Sequence, residues 1–202
     1  MAERAIPGGL ALLTRLVNTL DVEGGRDALA TPDGLATVDP ELSLAPDELP
    51  ELRRLREALR AALLAHHVED APPPRELVAL FARAPLLVEP ADDGGARLVP
   101  APGLDGVAAF TARVAAVVAT AEARGEWRRL KACEAENCRW AYYDLSPGGR
   151  RRWCSMQICG ARAKMRAYRA KQRAGGGAKP PAGARVRDRD GGAVTPPPPP
   201  RP

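Results

Sequence analysis

The sequence predicts a mainly α chain with one small β hairpin, an α+β amino-terminal domain, followed by a small four-cysteine module that ends in a basic helix. Three observations carry this reading. Leucines and valines recur three and four residues apart in several segments, the mark of one buried helix face. Two short β-type runs flank a turn rich in proline, aspartate and glycine. All four cysteines of the chain lie between residues 133 and 159.

Leu10, Leu13, Leu16, Val17 and Leu20 define the first helix, which should stop near 21–25, where Gly24 and Gly25 give the chain a place to turn. Leu52, Leu55, Leu59, Leu63 and His66 then trace one face of a longer helix over 47–68. Asp47 is its expected amino-terminal cap, and Arg53, Arg54, Arg56, Glu57 and Arg60 are expected on its wet side. Three prolines at 72–74 break the pattern before a short helix over 75–84 with Leu77, Leu80 and Phe81 inside. The runs at 86–89 and 96–99 read as a hairpin around Pro90-Ala91-Asp92-Asp93-Gly94-Gly95. Val107, Phe110, Val114, Val117, Val118 and Ala121 mark a helix over 104–124, and Gly125 separates it from the cysteine module. The last helix is expected over 155–173 with Ser155 as its cap. The tail from 175 to 202 has almost no large apolar side chains, cannot offset the cost of ordering, and should be disordered.

The expected organisation is therefore a mostly helical domain at 1–123, a cysteine module at 124–174 and the tail at 175–202. Charge divides at the same place. Residues 1–123 hold 11 Lys/Arg against 19 Asp/Glu, whereas residues 124–174 hold 14 against 4, a net of +10. An acidic body with a strongly basic end suggests that the end meets a polyanion, most simply nucleic acid. No run approaches the roughly 20 uninterrupted apolar residues of a membrane helix, so the expectation is a soluble, cytoplasmic protein without a membrane partner. No nucleophile sits beside a plausible base and no glycine-rich phosphate loop follows a strand, which gives catalysis no support. His66 and His67 are adjacent and on a helix point about 100° apart, so they are expected to be one helix-face residue and one exposed residue rather than a second metal site.

Cys133, Cys138, Cys154 and Cys159 are spaced as C-x4-C, fifteen residues, C-x4-C. Two short chelating loops joined by a hairpin-length connection bring four soft donors to one point at little loop-closure cost, which fits a single tetrahedral zinc. Four thiolates could also hold an iron–sulfur cluster or stay reduced and structural. With zinc the donor set is closed, so the metal is structural and has no open position for water. Lys131, Arg139, Arg150, Arg151, Arg152 and Arg162 are near enough in sequence to offset the excess thiolate charge.

Arg150-Arg151-Arg152, on the loop after Ser146-Pro147-Gly148-Gly149, are candidate phosphate contacts. On the last helix Arg162, Arg166, Arg169 and Arg173 fall within a sector roughly 60° wide, with Lys164 and Lys171 on another side, a stripe suited to a DNA groove or backbone. Ile158, Ala161, Met165 and Tyr168 form a neighbouring apolar sector expected to pack on the cysteine hairpin. Trp127, Trp140, Tyr142, Tyr143 and Trp153 are expected to supply the small core of the module, with stacking on single-stranded bases as the alternative.

The module resembles the CGNR zinc fingers. The resemblance rests on Cys133 to Cys138, Tyr143-Asp144-Leu145-Ser146, Arg151-Arg152-Trp153-Cys154-Ser155-Met156 and Cys159-Gly160-Ala161-Arg162, with Ala161 standing where that family has asparagine. Leu16-Val17-Asn18-Thr19-Leu20-Asp21 and the Leu52–Ala58 stretch likewise resemble the ABATE domain that accompanies this finger. The resemblance implies one structural zinc on the four cysteines and a stress-related bacterial transcription regulator whose finger binds DNA. The amino-terminal domain would then sense a small-molecule effector or pair subunits in a homodimer. The competing expectation is a non-catalytic adaptor whose module binds RNA or an acidic protein.

Overall fold

The computed structural model describes residues 6–175. The remainder of the tail, for which the sequence predicts disorder, lies outside the described residues. The chain separates into a compact unit running through Lys164 and a helical segment from Met165.

Helix α1 (Gly8–Val17) buries Leu10, Leu13, Leu16 and Val17, the expected face, together with Leu12. The chain then turns through an antiparallel pair, β1 (Leu20–Asp21) and β2 (Arg26–Asp27). Two residues a side are too few for alternation to show in the sequence. The turn is held by Asp21, whose carboxylate accepts the Gly24 amide at 2.9 Å, and by Gly25 at a φ of 64°. The irregular stretch beyond it contains α2 (Leu35–Val38), which drops Leu35 and Val38 into the core.

Helix α3 (Leu49–Ala65) is the centre of the unit, burying Leu49, Leu52, Leu55, Leu59 and Leu63. Two expectations are corrected here. Asp47 is not its cap; the Glu48 carboxylate instead accepts the Ala45 amide at 2.8 Å and the Val107 amide at 2.9 Å, which ties the start of α3 to that of the later helix α5 (Gly106–Ala123). Arg56 and Arg60 are not on the wet side either, being only 4% and 5% exposed. Arg56 forks onto Asp27 at 2.5 and 3.0 Å, while Arg60 donates to the Val17 carbonyl at 2.8 Å and the Arg139 carbonyl at 2.9 Å. An arginine on a leucine-rich helix face buries its stem and is tolerated where every N–H finds an acceptor, which sequence periodicity cannot register.

After α4 (Arg75–Phe81) the expected hairpin forms from β3 (Leu86–Pro90) and β4 (Ala96–Pro100), paired antiparallel with Val88 opposite Leu98. Helix α5 is long and apolar enough to cross a membrane by length and composition alone, although Arg113 and Glu122 interrupt it and it stays short of the roughly 20 uninterrupted apolar residues looked for in the sequence. Its packing explains the apolarity: Val107, Phe110, Val114 and Ala121 join the same core as α1 and α3. The helix stops at Gly125, whose φ of 68° lets the Gly125 amide reach the Glu122 carbonyl at 2.9 Å.

Beyond Gly125 lie β5 (Leu130–Ala132) and β6 (Ala141–Tyr143), a third antiparallel pair, and the last helix α6 (Ala161–Gly175). Leu130, Ala132 and Ala141 belong to the same hydrophobic cluster as Leu16, Leu59 and Leu63. The change of charge at residue 124 is thus not a break in packing; the core runs through it.

Candidate metal centre

The β5–β6 hairpin is fastened to the helices from three directions. Asn18, at the end of α1, uses both ends of its amide on Ala141, accepting its N–H at 2.7 Å and donating to its carbonyl at 3.1 Å. His66 places Nδ1 2.7 Å from the Leu130 carbonyl, and His67 places Nε2 2.7 Å from the Ala132 carbonyl. His67 is therefore not the exposed residue expected of it. Arg60 holds the far end through Arg139, a non-glycine residue at a φ of 57° that turns the chain just after Cys138. Of these four polar residues, helical spacing places only His66 on the α3 face and gives none of their partners; Asn18 lies within a stretch that carries the resemblance.

The hairpin delivers the first cysteine pair. Cys133 follows β5, its amide donating to the Trp140 carbonyl at 2.9 Å, and the chain folds back so that the Cys138 amide meets the Ala135 carbonyl at 2.9 Å. The Glu134 amide donates to the Arg152 carbonyl at 3.1 Å, which brings the second pair alongside. Ser155 then accepts the Ile158 amide at 3.2 Å, the capping role expected of it, and a wide helical turn over Met156–Gly160 carries Cys159 inward before α6 begins.

The four sulfurs all lie within 4.8 Å of one another. Cys138 and Cys154 are 3.6 Å apart and Cys154 and Cys159 3.7 Å apart. Sulfurs about 2.3 Å from a central zinc would form a tetrahedron with edges of about 3.8 Å. A disulfide, at about 2.0 Å, is excluded by the same distances. Bridging sulfides of a multi-iron cluster would hold the thiolates farther apart. The arrangement suits one zinc ion, with Cys133, Cys138, Cys154 and Cys159 as its donors.

The electrostatics of the sulfurs are uneven. Burial alone raises the Cys133 thiol, but the amides of Cys154 and Ala135 donate to its sulfur and leave its pKa lowered. Burial and the neighbouring thiols push Cys154 up, and burial pushes Cys159 up to about 11. A closed group of thiols in this state releases protons as it takes up a cation, so metal uptake is favoured as pH rises.

Beneath the cysteines Asp144, fully buried, accepts from Lys131 Nζ at 3.2 Å, the Ser146 amide at 3.0 Å, the Ser146 hydroxyl at 2.6 Å and the Arg151 amide at 2.8 Å. Burial acts to raise its pKa, yet the donors around it win and hold the carboxyl below the usual range. Lys131 is thus committed to Asp144 and the Gly149 carbonyl rather than to the thiolates.

The candidate phosphate contacts divide. Arg151 faces inward, with Nε on the Trp153 carbonyl at 2.9 Å, its other end on the Cys154 carbonyl, and its guanidinium 5.1 Å over the Tyr142 ring. Arg152 pairs with Glu134 and stacks 5.2 Å over Trp153. Arg162 pairs with Glu23 at 2.7 Å, and its pKa is raised by that partner first and by the Cys159 and Cys138 sulfurs after it. Arg150, Lys164, Arg166, Arg169, Lys171 and Arg173 are exposed. Of the apolar sector expected to pack on the hairpin, Ile158 does not, being 55% exposed, and Met165 and Tyr168 are themselves 51% and 58% exposed. Tyr142 and Trp153 do pack with the cysteines as expected, whereas Trp140 faces solvent. Gly160 is buried, and a Cβ there would come within 3.2 Å of Met156 and Trp153.

Residues 129–172 match the family model of the CGNR zinc finger, so the metal centre and the helix after it lie within one such finger. Among curated proteins, none matches the chain.

Proposed function

We propose that the CGNR zinc finger is the DNA-binding end of a cytoplasmic, non-catalytic transcription regulator, and that the helices before it sense an effector or pair subunits. The observation that supports this most is a set of cations on α6 that pair with no carboxylate among the described residues. Arg166, Arg169, Lys171 and Arg173 are exposed directly after the fourth cysteine, on a helix whose start is fixed by the metal turn. Arginines presented on a helix suit phosphate and guanine edges alike. The resemblance of the amino-terminal segment to the ABATE domain of stress-related regulators agrees with this division of labour.

One observation favours a second reading. Met165 and Tyr168 lie exposed among the same cations, a mixed surface that also suits single-stranded RNA or an acidic amphipathic protein segment.

Titration of labelled duplexes at several salt concentrations tests the proposal. Engagement of four or five phosphates gives a slope of log affinity on log salt of about −4, and each of Arg166→Ala and Arg169→Ala reduces it by about one unit. Negligible duplex affinity at low salt, with retained affinity for single-stranded RNA or an acidic peptide, would replace the regulator by the adaptor.

A further inference from the structure

A cavity of about 580 Å3 opens between α3, α4 and α5, away from the cysteines. Leu77, Phe81 and Val118 give it apolar walls, and Pro72, Pro73 and Pro74 form a stiff rim. Its volume is that of a small-molecule site, within the usual range of about 300 to 1,000 Å3. Several of its wall positions, among them Ala62, Ala115 and Ala119, are alanines, so the space stays open because no side chain is long enough to fill it.

Two of its lining residues lie next to the attachment of the finger. Trp127 and His66 both line the cavity and meet edge to face, centroids 4.7 Å apart at 86°. The Leu130 carbonyl is only an acceptor, so the proton of His66 must sit on Nδ1 to make that 2.7 Å bond. Nε2 is then a bare acceptor, and no hydrogen bond to it occurs among the described residues. Burial also pulls the ring toward its neutral form. Glu122 and Arg128 both line the cavity as well, so the lining asks for no net charge in what it holds.

We infer that this cavity binds a compact, neutral aromatic molecule carrying one hydrogen-bond donor, of the indole or phenol class, with the donor on His66 Nε2. A ligand there also presses on Trp127 and His66, the two side chains next to the start of β5, and Cys133 is the residue after β5. Occupancy therefore stiffens the strand that presents the first metal ligand and slows loss of the metal. This deepens the sensing role proposed above and rests on that reading only for its regulatory meaning.

The test uses the zinc-loaded full chain with indole and with benzofuran, which has nearly the same shape and no donor. Calorimetry is expected to give one indole per chain, bound about five-fold tighter than benzofuran, the worth of one hydrogen bond. Ala119→Trp and Val78→Trp, both at exposed positions of the lining, fill the space and are expected to abolish indole binding while zinc content and helicity are retained. Indole should slow zinc transfer to a chelator about three-fold or more in the parent chain and not in either variant. That pattern upholds the inference whether or not the same preparation retains duplex DNA, so the two readings fail separately. Absence of saturable binding, equal affinity for benzofuran, or binding that survives both tryptophan variants would overturn the site. An unchanged zinc-transfer rate with indole bound would overturn the coupling.

Discussion

At the scale of single residues, the finger depends on charges that are spent internally. Asp144 is fully buried and joins Lys131, Ser146 and Arg151 into one network beneath the cysteines. Asp144→Asn leaves Lys131 buried without its counter-charge, and such broken pairs cost about 3 to 5 kcal/mol. Denaturant unfolding of the zinc-loaded chain should show a loss of that size. Replacing Lys131 by Met alongside should restore part of it, because the orphaned charge goes too. Arg151→Ala is likewise expected to lower stability, since its guanidinium braces the Trp153 and Cys154 carbonyls. Its effect on the salt dependence of DNA binding should be small. His66 sets a pH dependence of known sign. Burial lowers its pKa in the fold below that of the unfolded chain, so the unfolded state takes up the proton first. The stability from its neutral form is complete above the unfolded value of about 6.5 and is lost as pH falls from there toward the folded value. His66→Asn keeps a donor for Leu130 without a titrating ring, so with zinc saturating, the fall in stability between pH 7 and 5.5 should be shallower in that variant.

At the scale of elements, the hairpin is held by side chains from α1 and α3 more than by its own three-residue strands. Arg60 bridges two of these parts, reaching Val17 on one side and Arg139 on the other. Arg60→Ala removes three charge-assisted hydrogen bonds, one of them to the Glu57 carboxylate, and leaves two carbonyls short of a donor, an expected cost of about 3 kcal/mol. Arg60→Lys should recover less than half of that, because an ammonium cannot fork to both carbonyls. Equilibrium unfolding of the three chains checks the order. The α6 helix behaves in the opposite way. Its exposed arginines contribute within about 0.5 kcal/mol to stability, so Arg166→Ala and Arg169→Ala should leave unfolding unchanged while altering the binding slope.

At the scale of the whole unit, the continuous core makes the finger and the amino-terminal helices respond together. Gly125 and the charge division suggest a module that could unfold alone. Leu130, Ala132 and Ala141 instead share one hydrophobic cluster with Leu16, Leu59 and Leu63. Four-thiolate zinc contributes about 10 to 16 kcal/mol of folding free energy in small modules. Chelation is therefore expected to uncover one face of that cluster and to lower the melting temperature of the helices along with the finger, in a single transition by both circular dichroism and tryptophan fluorescence. Helices that melt at an unchanged temperature in chelator would show two independent units.

Much of this was determined by the sequence alone. Helical spacing located α1, α3, α4 and α5, a turn-flanked pair of short runs located β3 and β4, and the C-x4-C pairs located the four sulfurs, because each of these signals is local and repeats along the chain. The tertiary structure decided what depends on a partner far away. It sent Arg56 and Arg60 inward, gave Asn18, His66 and His67 to the hairpin, and turned Arg151 toward carbonyls rather than solvent. It left Ile158, Met165 and Tyr168 exposed. A buried cation and a solvated one look alike in sequence; only the acceptors that the fold brings within hydrogen-bond distance distinguish them.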